Sequence, residues 1–306
     1  MKKVFLCEDL HPQAYQLLKE HFEIIHEREN IDQIDALITR NILVNKELVD
    51  QCPQLKIVAV HGTGYDHVDV AYLKEKGIVV FHVPGQNALS VAEMTVALIL
   101  DLSRKISYSH QLLHFHSVKI GTQELAGHEI SHKTIGLIGF GEIAKKVCTI
   151  LQNGFSMKVI AYAPHLTHRD ASLFSIDICQ SIEEVFEKAD IVSIHCPLNE
   201  QTRHLIDMNI IKHAKKNCLL INTARGAIVC EDDLYDALKQ GIIAGAASDV
   251  FEHEPVSRQH PLLTLNHFIA TPHLGATTEE ALYRVGMKTV ENLIDYFSHQ
   301  RVAGQL

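Results

Sequence analysis

The chain has 306 residues, more than one compact core usually holds, so about two domains are expected. Hydrophobic residues make up 46% of the chain and charged residues 21%, a composition typical of a globular protein rather than a disordered or membrane protein. The net charge of −9, with no block of lysine or arginine, argues against a nucleic-acid partner.

Short apolar runs alternate with amphipathic stretches of helical length along nearly the whole chain. The first run lies in MKKVFLCEDL and is too short for a secretion signal, so the sequence predicts a cytoplasmic protein with no membrane partner. The first set of runs consists of KVFLC, FEIIH, ALIT, KIVAV and IVVFHV. The apolar stretch NALSVAEMTVALILDLSR, residues 87–104, then predicts a buried helix that joins two domains.

A second set of apolar runs follows, and it consists of TIGLIG, KVIAYA, DIVSIHC, CLLINTA, GAASDV and HFIATP. Both sets are continuous rather than alternating, which predicts parallel sheets covered by helices on both faces. The predicted fold class is therefore α/β, with doubly wound parallel sheets. The seven cysteines include no C-x-x-C pair, and the sequence predicts no metal site.

The segment TIGLIGFGEIAKKV contains the pattern G-x-G-x-x-A at Gly139, Gly141 and Ala144, between a predicted strand and a predicted helix. The first glycine allows a tight turn, the second lets the backbone approach a pyrophosphate, and the small third residue lets the helix pack on the strand. This context predicts a dinucleotide site with the phosphates at the helix N-terminus. The alternative is a tight strand-to-helix turn without a ligand.

The carboxylate that usually binds the adenosine ribose is missing at the end of the next strand. The segment KVIAYAPHLTHRD places Ala163 there. Without a negative charge, a 2′-phosphate is not repelled, and His165 or Arg169 would attract it. The alternative is that these two residues are solvated loop residues. NAD is the predicted cofactor, because no arginine follows the strand directly, and NADP is not excluded.

Three further strands are each followed by a charged or titratable residue. Arg225 follows CLLINTA, and His273 follows HFIATP. Between them, SDVFEHEP supplies a carboxylate from Asp249, Glu252 or Glu254. The ends of parallel strands meet at one edge of a sheet, so the three groups form a candidate set of anion anchor, orienting carboxylate and proton shuttle. The alternative for Arg225 is a buried ion pair.

The segments NTARGAIV, SDVFEHEP and TPHLGA, together with HGTGYDHVD, SVAE and IHCPLNEQTRHLI, resemble the D-isomer-specific 2-hydroxyacid dehydrogenase family. The resemblance covers residues 2–299 and is greatest to the D-3-phosphoglycerate dehydrogenase branch, in a short form without its C-terminal regulatory domain. It implies two Rossmann-like domains: a discontinuous substrate domain of residues 1–98 and 278–306, and an NAD-binding domain of residues 99–277. It also implies a homodimer formed through residues 105–131.

The resemblance implies hydride transfer between a nicotinamide cofactor and a small D-2-hydroxy acid. The leading reaction interconverts 3-phosphoglycerate and 3-phosphohydroxypyruvate, for serine biosynthesis. One alternative is a hydroxypyruvate, glyoxylate or other 2-oxo acid reductase. An alternative of another class is an NAD(H)-sensing binding protein that resembles transcriptional corepressors.

Site residues follow from the resemblance position by position. The catalytic residues are Arg225, Glu254 and His273, and the substrate contacts are Arg40, His61, Gly62 and Arg225. The cofactor contacts are Thr63, Gly139, Gly141, Glu142, Ile143, Ala163, Cys196, Thr223, Ala224, Asp249, Gly275 and Ala276. As a surface residue, Arg40 needs no such role.

Several residues depart from the family pattern. Glu142 stands where an arginine often lies near the pyrophosphate, and Ala163 replaces the aspartate that favours NAD. Tyr162 and Pro164 keep the surroundings common in NAD-type members. His132 stands where a glycine usually follows the dimer-forming segment. No function for this histidine follows from the sequence.

Overall fold

The computed structural model describes residues 1–115, 125–299 and 302–306. The chain divides into two units, one of Met1–Asn87 with Ala276–Leu306 and one of Ala88–Gly275. The predicted boundary at residue 98 therefore differs from the structure. It falls inside the helix Ala88–Arg104, whose whole length packs within the second unit. Because this continuous helix belongs to the second unit over its whole length, the division between the two units lies at the start of the helix.

The first unit is built on a five-stranded parallel sheet in the order β2-β1-β3-β4-β5. This is the flavodoxin-like order, with a switch point between the first and third strands. Its strands are β1 (Lys2–Leu6), β2 (Phe22–Ile25), β3 (Ala36–Thr39), β4 (Ile57–Val60) and β5 (Val79–His82). Its helices are α1 (Pro12–His21), α2 (Lys46–Asp50), α3 (Val70–Glu75) and the C-terminal α11 (Glu279–His299).

The second unit is built on a seven-stranded parallel sheet in the order β12-β11-β10-β9-β6-β7-β8. Its strands are β6 (Thr134–Ile138), β7 (Lys158–Tyr162), β8 (Asp177–Ile178), β9 (Ile191–Ile194), β10 (Leu219–Asn222), β11 (Gly245–Ser248) and β12 (Phe268–Ala270). The chain first runs from β6 outward to β8 and then returns to β9 on the other side of β6. This is the Rossmann order with one added strand, and its switch point lies between β6 and β9.

The helices of the second unit cover both faces of its sheet. They are α4 (Ala88–Arg104), α5 (Ile106–Phe115), α6 (Glu142–Phe155), α7 (His168–Phe174), α8 (Ile182–Lys188), α9 (Met208–Ile211) and α10 (Glu231–Lys239). Two separate clusters of buried residues result, one on each face. All four residues of β9 and of β11 are buried, which confirms the prediction of parallel sheets covered on both sides.

Two helix starts illustrate how local side-chain hydrogen bonds cap a helix. Ser181 accepts a hydrogen bond from the Glu184 N–H (3.3 Å) and begins α8. At the start of α11 the capping residue is Thr278, which accepts from the Ala281 N–H (3.1 Å). Across the part of the chain that the structure describes, no helix is both long and apolar enough to cross a bilayer.

Candidate active site

The carboxyl edge of the seven-stranded sheet gathers most of the predicted site residues. Because all seven strands are parallel, the loops that follow them share one edge. In an open α/β sheet, ligands bind beyond this edge and near the switch point. The edge carries Gly139 after β6, Cys196 after β9, Arg225 after β10, Asp249 after β11 and His273 after β12.

The glycine turn between β6 and α6 has the features that a bound pyrophosphate requires. Gly139 has a φ of +93°, and a Cβ there would lie 2.7 Å from the Cys196 nitrogen, so only glycine fits. Gly141 is the N-cap of α6 without a side-chain cap, and a Cβ there would meet nothing within 4 Å. The first backbone N–H groups of this 14-residue helix are thus left for an anion, and the turn fits a dinucleotide.

Glu142 begins α6, with 65% of its side chain exposed. Its carboxylate lies 3.0 Å from the Lys145 ammonium, one turn further along. A negative charge at this end of a helix interacts favourably with the helix dipole but repels a pyrophosphate. Lys145 offsets that repulsion, since it brings a positive charge to the same turn. Ile143 is half-buried, and its apolar side chain packs against the core of the unit.

Ala163 follows β7, the position where an acid would bind the adenosine ribose. It is half-buried, and its carbonyl accepts a hydrogen bond from the Leu166 N–H (3.1 Å). His165 and Arg169 are both exposed in the segment that follows. Asp170 is the first acid after β7, and its carboxylate is used to cap α7 with Thr167. No side chain at the end of β7 itself therefore supplies a negative charge.

Glu254 and His273 form a hydrogen-bonded pair. The Glu254 Oε2 atom lies 2.8 Å from Nδ1 of His273, and its Oε1 atom accepts from the Phe251 N–H (2.9 Å). Burial alone would raise the pKa of Glu254, but these hydrogen bonds and the charge of Arg225 hold that pKa below its ordinary value. Because an ionised carboxylate only accepts, Nδ1 donates and Nε2 is left for another partner. Each side chain is about a third exposed, with 32% for His273 and 36% for Glu254.

Asp249 holds the turn that carries His273. Its buried carboxylate accepts hydrogen bonds from Thr271 Oγ1 (2.5 Å), the Leu274 N–H (2.7 Å) and the Gly275 N–H (2.7 Å). The His273 N–H also donates to the Asp249 carbonyl (2.8 Å). His273 has a φ of +56°, a left-handed conformation that side chains rarely adopt. Four hydrogen bonds to one residue offset this strain and fix the imidazole.

Arg225 lies in a loop that is held at the end of β10 by Asn222. The Asn222 amide donates to the Arg225 carbonyl (2.9 Å), and its oxygen accepts from the Ala224 N–H (3.0 Å). Thr223 in the same loop has its hydroxyl 2.9 Å from that of Thr95 in α4. Sequence reasoning missed Asn222. The signal available was a polar residue at the end of an apolar run, INTARG.

The first unit carries the other predicted contacts at its own carboxyl edge. The Arg40 N–H donates to Glu8 Oε2 (2.7 Å), and its guanidinium donates to Thr277 Oγ1 (2.9 Å). Thr63 donates to Asn87 Oδ1 (3.0 Å). Gly62 forms the turn after His61, where its N–H donates to the Val60 carbonyl (2.8 Å). Ala276, a predicted cofactor contact, also belongs to the first unit.

His61 is a buried imidazole in this first unit, only 4% exposed. Burial, with a smaller contribution from the charge of Arg40, lowers its pKa to about 4. His61 is therefore neutral at physiological pH. Its role as a substrate contact remains a prediction.

The predicted dimer segment, residues 105–131, is described only in part. Its residues 116–124 lie outside the described residues. In the part of the chain that the structure describes, no group of three or more histidine, cysteine, aspartate or glutamate residues is arranged to hold a metal ion.

Comparison with known proteins identifies the family. Residues 96–275 match the model of the D-isomer-specific 2-hydroxyacid dehydrogenase NAD-binding domain. The D-3-phosphoglycerate dehydrogenase of Methanocaldococcus jannaschii is 35% identical over 305 residues, which cover 96% of this chain and 57% of that protein. The hydroxypyruvate reductase of Thermotoga maritima is 37% identical over 306 residues, which cover 95% of this chain and 97% of that protein.

Among solved structures, the TT0316 protein from Thermus thermophilus superposes with a TM-score of 0.91 at 28% identity, and the match covers 99% of both chains. The chain thus spans little more than half the length of the phosphoglycerate dehydrogenase and nearly all of the hydroxypyruvate reductase. The family model ends at Gly275, where the second unit also ends. The chain belongs to the D-isomer-specific 2-hydroxyacid dehydrogenase family, and its second unit contains the NAD-binding domain of that family.

Proposed function

We propose that this protein is a nicotinamide-dependent oxidoreductase that interconverts a small D-2-hydroxy acid and the corresponding 2-oxo acid. The leading substrate pair is 3-phosphoglycerate and 3-phosphohydroxypyruvate. The observation that carries the proposal is the Glu254–His273 pair, whose imidazole keeps Nε2 for a substrate, on the same sheet edge as Arg225. This set matches the needs of carbonyl reduction: an anion anchor, a proton donor and a carboxylate that supports the protonated donor.

When bound, the nicotinamide cofactor supplies the hydride for reduction and accepts it in oxidation. Arg225 binds the substrate carboxylate through its planar guanidinium and polarises the carbonyl that is reduced. His273 donates the Nε2 proton to the carbonyl oxygen during reduction and takes a proton from the hydroxyl during oxidation. Glu254 accepts the Nδ1 hydrogen bond throughout and stabilises the positive charge of the protonated imidazole.

The cofactor contacts fall into two groups by their proposed roles. The turn of Gly139 and Gly141 would hold the pyrophosphate at the start of α6, with Glu142 and Ile143 beside it. Ala163 would face the adenosine ribose. The remaining contacts are proposed around the nicotinamide half of the cofactor, and they are Thr63, Cys196, Thr223, Ala224, Asp249, Gly275 and Ala276.

The substrate proposal rests on family members of two kinds. A phosphoglycerate dehydrogenase and a hydroxypyruvate reductase match this chain about equally well, at 35% and 37% identity. Arg40 favours the phosphorylated substrate if it binds the phosphate. Arg40→Gln should then lower kcat/KM for 3-phosphohydroxypyruvate by roughly 10- to 100-fold, the loss of one charge-assisted hydrogen bond, and leave hydroxypyruvate unaffected. Equal losses for both substrates would contradict this role.

The test of the proposed function is a matrix of 2-oxo acids and cofactors. We expect turnover of 3-phosphohydroxypyruvate with NADH to exceed that of hydroxypyruvate, glyoxylate, pyruvate and 2-oxoglutarate, with NADPH assayed in parallel. Highest turnover with a non-phosphorylated acid would replace the leading substrate but keep the reaction class. Dinucleotide binding without turnover of any acid would instead indicate a sensor that resembles the transcriptional corepressors of this fold.

We also propose that the protein works as a homodimer in the cytoplasm, with residues 105–131 at the dimer contact. The described part of this segment includes Ile106 and Leu113, whose side chains are 56% and 78% exposed. Two large apolar side chains in contact with water are better accommodated against a second copy. Light scattering at micromolar concentration should give twice the mass of one chain, and a monomer would contradict the proposal.

A further inference from the structure

The loop that carries Glu254 is held by a residue that the proposed reaction does not use. The N–H of Glu252 in this loop donates to Oε1 of Glu231 (2.9 Å). Glu231 is the first residue of α10, so it belongs to a different element. A carboxylate on a neighbouring helix therefore fixes the backbone two residues before Glu254.

Glu231 is itself fixed by a second partner. Its Oε2 atom lies 3.0 Å from Nε2 of His260, and the two side chains are only 18% and 19% exposed. The His260 ring in turn packs edge-on against Phe251, with 5.4 Å between ring centroids. Largely buried side chains that share hydrogen bonds and ring contacts keep a single conformation. Glu231 is thus a rigid support for the loop rather than a mobile surface acid.

The supported loop also touches the strand end that carries Arg225. A Cβ on Gly226 would lie 1.9 Å from the Phe251 carbonyl carbon and 2.2 Å from the Glu252 nitrogen. The two backbones are therefore packed together with no room for a side chain. Asn222, Gly226, Glu231 and Phe251 line one small internal cavity, which places all four in one contiguous region. A shift at Glu252 would be transmitted to both Glu254 and Arg225.

We propose that Glu231 is a positioning residue for the reaction. It holds the Glu252 N–H so that Glu254 stays in hydrogen-bonding distance of His273. This inference rests on the proposed function, because Glu231 acts only through Glu254. The charged groups that act on Glu254 are His273 and Arg225, and the group that faces Glu231 is His260.

The test compares two residues in the first turn of α10. Asp233 also accepts a hydrogen bond from a backbone N–H, that of Met208 at the start of α9 (2.8 Å to Oδ2), but α9 does not carry Glu254. Glu231→Ala should lower kcat for 2-oxo acid reduction by roughly 10- to 100-fold, as misplaced catalytic groups do. Asp233→Ala should keep kcat within about threefold of the parent although it loses one comparable hydrogen bond.

Rescue and pH dependence separate positioning from general destabilisation. Glu231→Gln keeps an oxygen for the Glu252 N–H, so its kcat should stay within about threefold of the parent. In Glu231→Ala the alkaline fall of the reduction rate should move to lower pH, as in Glu254→Gln, because a displaced carboxylate no longer stabilises the protonated imidazole. Asp233→Ala should keep the parent pH profile. Melting temperatures of all variants are measured beside the kinetics.

Several outcomes would overturn the role of Glu231. The first is that Glu231→Ala keeps the kcat and the pH profile of the parent while Glu254→Gln is impaired. The second is that Glu231→Ala and Asp233→Ala lose kcat equally. The third is that Glu231→Gln does not restore kcat. Parental turnover in Glu254→Gln would instead overturn the proposed function and this inference with it. If Glu231→Ala does not fold, His260→Phe replaces it. That variant keeps an aromatic ring against Phe251, frees Glu231, and should show the same pH shift with a kcat loss of roughly 3- to 10-fold.

Discussion

The two halves of the seven-stranded sheet differ in how their carboxyl ends are held. Beyond β10–β12, Asn222, Asp249 and Glu254 each make at least two hydrogen bonds to neighbouring groups. Beyond β6 and β7, Ala163 has no polar side chain, and Glu142 is largely exposed. The carboxyl ends of β10–β12, which we call the rigid half, are held by side-chain hydrogen bonds. The carboxyl ends of β6 and β7 rely on the shape of the backbone and on the helix dipole of α6.

This difference predicts how each half responds to substitution. Groups fixed by several hydrogen bonds act as a unit, so loss of one member has a large effect on rate. Exposed charges near a helix end act through solvent, so changes there shift affinity by smaller and more graded amounts. The first three variants below test this contrast in order of decreasing expected effect, and the fourth tests the opposite edge of the sheet, where the smallest effect is expected.

The largest effect is expected from His273→Ala, which breaks the rigid half and leaves the glycine turn intact. Turnover should fall by roughly 10² to 10⁴, the usual contribution of a general acid–base residue. NADH affinity, measured by fluorescence titration, should change by less than about threefold because the start of α6 is unaltered. Turnover equal to that of the parent would show that His273 does not transfer the proton.

Ala163→Asp instead adds a side-chain contact to the half of the sheet edge beyond β6 and β7. A carboxylate at the end of β7 would accept hydrogen bonds from the adenosine ribose and repel a 2′-phosphate. The preference for NADH over NADPH should rise by about 1 to 3 kcal/mol, or roughly 5- to 150-fold in the ratio of kcat/KM. Ala163→Asn is the matched control, since it keeps the hydrogen bonds but lacks the charge.

Charge repulsion should therefore appear only in the aspartate variant, as weakened use of NADPH. A parent enzyme that already prefers NADPH a hundredfold would contradict the NAD prediction. It would indicate that His165, His168 or Arg169 binds the 2′-phosphate.

Glu254→Gln keeps the shape of the rigid half but removes its negative charge. The pKa of Glu254 lies below its ordinary value, so the parent carries the charge throughout the neutral range. In the proposed reaction, reduction needs a protonated imidazole, and loss of the neighbouring charge makes protonation harder. The pH at which the reduction rate falls to half should therefore move down by about one unit, with a tenfold loss of rate above it.

The oxidation direction provides the internal control for this variant, because it needs a neutral imidazole. Its acid limb should move to lower pH by the same amount. An unshifted profile in both directions would mean that Glu254 does not act on His273 electrostatically.

The sequence predicted the parallel sheets and the family, but the supports of the site depend on the fold. Continuous apolar runs predicted covered strands, and the structure bears this out in β9 and β11. Glu231 acts on a backbone N–H that lies 21 residues further along the chain, and such a pair gives no local sequence signal. Asn222 holds its own loop, but a polar residue at the end of an apolar run does not by itself reveal which backbone groups it binds. The boundary at residue 98 was misplaced because a buried linking helix gives no sequence signal of the unit on which it packs.

His132 gains a physical explanation that the sequence could not provide. It has a φ of +62° in the turn before β6, a left-handed conformation in which a side chain is strained and glycine is not. The side chain is exposed, and the His132 N–H donates to the Phe155 carbonyl (3.1 Å). The glycine that the family resemblance implies at this position would therefore suit the backbone without any role in binding.

The smallest effect is accordingly expected from His132→Gly, at the amino edge of the sheet, opposite the edge that carries the site residues. Relief of about 1 to 2 kcal/mol of strain is partly offset by the greater freedom of glycine in the unfolded chain, about 0.4 to 1 kcal/mol. The free energy of unfolding should rise by roughly 0.5 to 1 kcal/mol, or about 1 to 3 °C in Tm, with kcat unchanged. His128→Gly is the matched control, because the φ of His128 is not in the left-handed region and glycine there should only destabilise. A lower Tm in both variants would mean that His132 makes interactions worth more than its backbone strain, and a change in kcat would mean that the amino edge is coupled to the rigid half.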